Sequence, residues 1–92
     1  MCNNPTDFNK LNSEEQSRLL NWISENLTPI KSFNENHNSY GLKHYFEADA
    51  NGFYVTNGAF KGAMLKTQYK AKDTYDINWY YNISEKSKCF KK

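Results

Sequence analysis

From Tyr75 to Ile83 the chain reads YDINWYYNI, with Tyr75, Ile77, Trp79, Tyr81 and Ile83 alternating with Asp76, Asn78, Tyr80 and Asn82. Period-two alternation is the mark of a β-strand with one apolar and one mostly polar face. A strand cannot satisfy its backbone alone, so the chain has to supply a second one. The short apolar run Phe53–Val55 is the expected partner. The aromatic stripe is expected to be the buried face of the pair, with exposure to a ligand as the alternative for Tyr75, Trp79 and Tyr81.

The remaining periodicity is helical. Asn12 or Ser13 caps a first helix, and Glu15 and Gln16 complete a capping box in either register. Leu19, Leu20, Ile23 and Leu27 form its apolar stripe, with Trp22 at the margin, and Pro29 ends it. KSFNENHN, residues 31–38, reads as a polar connection. Ser39 then caps a second helix, YGLKHYFEAD, with Leu42, Tyr45 and Phe46 facing inward and Asn51-Gly52 as its stop. Thr56 caps a third helix, expected over 57–70, and a charged turn at Ala71–Asp73 leads to the strand. The closing SEKSKCFKK reads as a tail with a short helix begun at Ser84.

The expected fold is therefore a small, helix-rich α+β single domain over 11–84, with an N-terminal arm at 1–10 and a basic C-terminal tail at 85–92. Its second and third helices would form a helix-turn-helix-like pair, with a short two-stranded sheet beside it as a rudimentary wing. The link ANGFYVT is longer than the usual turn of that motif, a departure from the pattern.

The third helix carries Gly58 and Gly62, and an interior glycine costs about 1 kcal/mol against alanine. At 100° per residue, Phe60, Ala63, Met64 and Thr67 share the core stripe. Gly58, Gly62 and Tyr69 fall nearly opposite, beside Leu65, with Lys61 and Lys66 flanking them. Three readings follow. The bare N-terminal face could seat a phosphate, admit a partner's backbone with Leu65 and Tyr69 as anchors, or be covered by the tail or aromatic strand of the chain itself. The candidate binding set is Asn57, Gly58, Lys61, Gly62, Leu65, Lys66, Gln68, Tyr69 and Lys70, with the bases or phosphates of DNA, or a partner protein, as its target.

Charge is unevenly placed. Residues 61–92 hold eight lysines against three acids, Asp73, Asp76 and Glu85, so the last third is about +5 while the rest is about −3. That suits phosphate or an acidic protein, and it equally suits a solvated tail. One arginine against eleven lysines argues against guanine readout by arginine. The thirteen asparagines, like the lysines, have A/T-rich codons, so this bias is expected to follow genome composition.

No enzyme signature is present: there is no GxSxG, no GxxxxGK[ST], no GxGxxG and no HExxH. His37 and His44 have no CxxC or second Cys/His cluster around them, so neither a metal nor a cofactor is expected. No apolar run nears the ~18 residues of a membrane span, and MCNNPTDFNK has no signal-peptide pattern. A cytoplasmic protein with Cys2 and Cys89 reduced is the expectation.

The phrases LTPIKSFNENHNSYGLKHYFE, GFYVTNGAFKGAML and NWYYNISEKS resemble small accessory proteins encoded by phages and other mobile elements of low-G+C bacteria, over about residues 11–88. That resemblance implies a short protein of the host cytoplasm, either a DNA-binding regulator or an inhibitor of host defence, including anti-CRISPR proteins that bind a Cas nuclease. It transfers no functional residue. DNA binding through helix 57–70 and the basic last third, as a homodimer, is the first expectation. Inhibition of a defence nuclease through protein contacts is the second.

Overall fold

Asn12 accepts a hydrogen bond from the Glu15 amide at 2.8 Å while the Glu15 carboxylate accepts one from the Asn12 amide at 3.0 Å. This closed capping box starts α1, Ser13–Asn26. In the computed structural model, which describes residues 3–91, α1 is followed by β1 (Pro29–Asn38), α2 (Ser39–Ala48), α3 (Asn57–Leu65), β2 (Ala71–Lys72) and β3 (Tyr80–Ile83). A 3-10 helix at Pro5–Lys10 precedes them and a 3-10 turn at Lys88–Phe90 follows. Cys2 lies outside the described residues. The fold is α+β, with three α-helices and an antiparallel sheet ordered β1-β3-β2. Its radius of gyration, 11.9 Å, is that of one compact body of this length.

The sheet has three strands rather than two, and Phe53–Val55 is not among them. The Val55 amide donates instead to the Glu47 carboxylate on α2 at 3.1 Å. The partner of β3 is the segment that reads as a polar connection. In β1 the buried position is Asn34, so the strand has no apolar alternation. Its ladder pairs Pro29 with Ile83, Asn34 with Tyr81 and Asn38 with Tyr80, so β1 bulges twice between pairings. Asparagine amides fill the gaps: Asn34 Nδ2 donates to the Ile83 carbonyl at 3.2 Å, and Asn82 Nδ2 to the Ile30 carbonyl at 3.0 Å. Asn4, Asn12 and Asn38 cap helices. The asparagines are thus part of the architecture, whatever the codon bias behind them.

The core is aromatic. Trp22 meets Phe46 edge-on at 5.6 Å and Phe60 at 6.4 Å, and Phe46 meets Phe53 at 5.1 Å. Tyr45, expected inward, is exposed and stands edge-on to Phe90 at 5.1 Å. Helix α3 runs through the middle and ends at Leu65 rather than 70, and every residue from Asn57 to Met64 is buried.

What covers α3 is the N-terminal segment, not the tail or the aromatic strand. A Cβ on Gly58 would fall 2.7 Å from the Asn4 nitrogen, and one on Gly62 would fall 2.6 Å from the Phe8 Cβ. The glycines exist so that the 3-10 helix can lie directly on α3, burying Phe8. Residues 3–10 are therefore docked on α3 through Asp7 and Phe8 rather than standing off as an arm. Asp7, itself buried, accepts from the Thr56 hydroxyl at 3.2 Å, which ties the segment to the α3 cap.

The C-terminal segment is likewise docked. Ser87 is fully buried, its hydroxyl accepting from the Thr28 amide and donating to the Ser84 carbonyl. Glu85 accepts from Asn34 Nδ2 at 2.9 Å and Asn36 Nδ2 at 3.2 Å and lies 3.0 Å from His37 Nε2, while the His37 ring stacks on Phe90 at 3.9 Å. These bonds, that of His37 foremost, hold the Glu85 carboxyl down to about 2 from an ordinary 4.5. A carboxyl depressed in the fold lends stability above pH 4.5 and loses it as pH falls toward 2. Acid titration followed by the ring resonances of Phe90 should show the segment releasing in that window, and Glu85→Gln should remove the carboxylate's share of the transition.

Candidate functional site

Between β2 and β3 the chain makes a loop, residues 73–79, where the sequence pattern had suggested continuous strand. Asp73 has φ of 55°, a left-handed conformation that aspartate tolerates better than most residues. The Asp76 amide closes a turn by donating to the Asp73 carbonyl at 2.9 Å. The alternation holds only from Trp79 onward, where Trp79, Tyr81 and Ile83 are buried. Tyr75 and Ile77, expected on the same face, are 85% and 61% exposed.

The loop is pinned from below. Trp79 Nε1 donates to the carbonyls of Thr74 and Asp76 at 3.1 and 2.8 Å. The Trp79 amide donates to Ser39 Oγ, and its carbonyl accepts from the Ser39 amide at 2.8 Å, which fixes the loop's base on the start of α2. Lys61 Nζ donates to the Ile77 carbonyl at 2.7 Å and sits 4.6 Å from the centre of the Trp79 ring. Asn57 Nδ2 lies within hydrogen-bond distance of the Ile77 carbonyl and of the side-chain oxygens of Asn78 and Asn3.

Lys61 is 3% exposed and has no carboxylate partner among the described residues. Burial lowers its pKa below the usual lysine range. A buried cation held only by a carbonyl and a ring is an expensive strut. Its effect is to fix the backbone under Ile77, so the loop presents its two large side chains in a set geometry.

The sequence-derived set is divided by the structure. Asn57, Gly58, Lys61, Gly62 and Tyr69 are inside: the glycines under the 3-10 helix, Asn57 and Lys61 under the loop, and Tyr69 with its hydroxyl donating to the Leu27 carbonyl at 2.7 Å. Leu65, Lys66, Gln68 and Lys70 are exposed, but they lie at or past the end of α3, and Lys66 sits over the Phe8 ring. They do not combine with the other five into one exposed helix face, so a recognition helix over 57–70 is not available. The helix wheel grouped Gly58 and Gly62 correctly on one face, but it ran past the helix end at Leu65 and could not show that this face belongs to residues 3–10.

Exposure of Tyr75 was the lesser of the two sequence readings, while Ile77 as its neighbour on the surface and Trp79 as the support beneath were not read at all. Two signals could have found them: the alternating run is longer than an ordinary strand, and Asp76 and Asn78 are poor strand residues. A second aromatic feature lies on α2, where Lys43 Nζ sits between the rings of Tyr40 and Tyr54, 5.2 and 5.0 Å from their centres, and pairs with Glu47 at 3.0 Å. Tyr40 follows Ser39, which bonds to Trp79, so this feature continues from the base of the loop.

Among the described residues no His, Cys, Asp and Glu side chains gather in a group of three that could hold a metal. No described helix is long and apolar enough to cross a membrane. Burial pushes the Cys89 thiol up to about 11, which keeps it protonated and unreactive at neutral pH. Comparison of the chain with protein-family models, with curated proteins and with solved structures finds no match in any of the three.

Proposed function

We propose that this chain is a non-enzymatic binding protein that acts by protein–protein contact, docking through the β2–β3 loop with Tyr75 and Ile77 as its anchors. The observation that carries the reading is the combination of exposure and fixity. Two large side chains, 85% and 61% exposed, stand on a loop whose backbone is held by a buried lysine, a buried asparagine and an indole N–H. A preformed loop loses little entropy on binding, and an exposed tyrosine supplies contact area at low conformational cost. The resemblance to mobile-element proteins supports a host nucleic-acid-handling enzyme, such as a defence nuclease, as the partner. Binding of DNA through α3 is the weaker reading, because Asn57, Lys61 and Tyr69 are engaged inside the fold and the exposed Gln68 lies past the helix end.

The test pairs two measurements. The Tyr75→Ala/Ile77→Ala double variant should keep the wild-type melting temperature to within a few degrees, since neither side chain is core. Its affinity for the protein captured from host cells should fall at least about tenfold, the loss expected for two anchor residues. Titration against labelled duplex DNA across a salt series should show no steeply salt-dependent binding. Unchanged partner affinity in the double variant would overturn the proposal.

A further inference from the structure

Resting on the docking reading above, we propose that the surface the β2–β3 loop fits is a basic, arginine-lined cleft on the partner protein. Residues 73–79, DTYDINW, contain two carboxylates and no base, although they lie in the lysine-rich third of a chain of net charge +2. Asp73 and Asp76 flank Tyr75, and both raise its phenol pKa, Asp73 the more strongly. The neighbouring base, Lys72, is neutralised by Glu35 at 2.6 Å, and Lys61 is buried beneath the Ile77 carbonyl. What the loop presents outward is therefore an aromatic ring between two negative charges.

Free hydrogen-bonding capacity here is on the acceptor side as well. The Asp76 carboxylate makes no hydrogen bond among the described residues, and Asp73 accepts only a long one, 3.4 Å, from the Tyr75 hydroxyl. An acceptor-rich tip built round a tyrosine calls for a donor-rich, planar cation. Guanidinium meets both demands, because it pairs with carboxylates through a fork of N–H groups and stacks on aromatic faces, which ammonium does less well. The same charges repel nucleic acid, so the loop suits a protein groove of the kind that holds nucleic acid rather than the nucleic acid itself.

The experiment is a titration of the isotope-labelled full chain with a blocked hexa-arginine peptide at low salt, followed residue by residue through amide NMR shifts. The amides of residues 74–78 should shift saturably, and hexa-lysine should bind more weakly at the same place. Asp73→Asn/Asp76→Asn, chosen because asparagine also tolerates the left-handed φ at 73, should weaken the peptide at least about fivefold, as should Tyr75→Ala. Glu25→Gln on the exposed side of α1 should change nothing. Shifts scattered over the acids of residues 1–60, or equal peptide affinity in the Asp double variant, would overturn the basic-cleft inference. If the captured partner still needs Tyr75 and Ile77 in that case, the docking reading survives without it.

Discussion

Gly62→Ala should destabilise the protein by about 1–2 kcal/mol, although alanine is the better helix residue. In an isolated helix the change would gain roughly 1 kcal/mol. Here the new Cβ would fall 2.6 Å from the Phe8 Cβ and 3.2 Å from the Pro5 carbonyl carbon, and the atoms it meets belong to backbone or to the root of a side chain. Such overpacking costs typically 1–3 kcal/mol if the segment stays. If it lifts, Phe8, now 2% exposed, is released to water, and losing a buried phenylalanine side chain costs about 3–5 kcal/mol. Net of the propensity gain, the first route costs up to about 2 kcal/mol and the second about 2–4 kcal/mol, so the first sets the expected loss. Gly58→Ala should act in the same direction, because its Cβ would meet the backbone of Asn4.

Urea unfolding would measure the loss, and a cycle with Phe8→Ala would locate it. Once Phe8 is gone the segment is already loosened, so Gly62→Ala should cost clearly less there, a coupling of at least about 1 kcal/mol. A stabilised Gly62→Ala protein would mean that the segment does not lie on α3 as described, and the internal-packing account of the glycines would fall.

How far the fold could be read from the sequence varies by element. The first helix was legible in type and place, with its cap narrowed to Asn12 or Ser13, because capping chemistry and an apolar stripe agree and are both local: Asn12, Glu15, Leu19 and Ile23 lie within one segment. Thr56 was equally legible as a cap, accepting from the Ala59 amide at 3.0 Å. What was not legible depends on partners distant in sequence. β1 is a strand without a strand's pattern, because asparagine amides rather than apolar side chains secure it to β3. The glycine face was correctly located but not its cover, since nothing in PTDFNK announces that Phe8 will sit against Gly62. Lys61 reads as surface in any composition-based account. It lies inside because the Ile77 carbonyl and the Trp79 ring happen to be there to receive it. The candidate surface was the least legible of all, since the alternation that places Trp79, Tyr81 and Ile83 correctly also assigns Tyr75 and Ile77 to the core.

Trp79 is where stability and the proposed docking surface meet, and two substitutions should separate them. Trp79→Ala removes a ring that is 6% exposed and should cost about 3–5 kcal/mol. It also strips Lys61 of its aromatic face and leaves a buried ammonium with one carbonyl, so the upper part of that range is expected. Trp79→Phe keeps most of the apolar volume and a ring for Lys61 but deletes the indole N–H that donates to Thr74 and Asp76. The stability loss should then be smaller, about 1–2 kcal/mol. The loop should nevertheless loosen. Amides of residues 74–78, above all that of Asp76, which donates to Asp73, should exchange with solvent faster than in the wild type, while those of α1 and β3 change only in step with global stability. Partner affinity should fall with loop order even though Tyr75 and Ile77 are intact, because a disordered loop has to be ordered on binding. Unchanged loop exchange in Trp79→Phe would show that Lys61 and Asn57 suffice to hold the loop. Faster exchange with undiminished partner affinity would instead show that the partner does not depend on the loop's fixed shape.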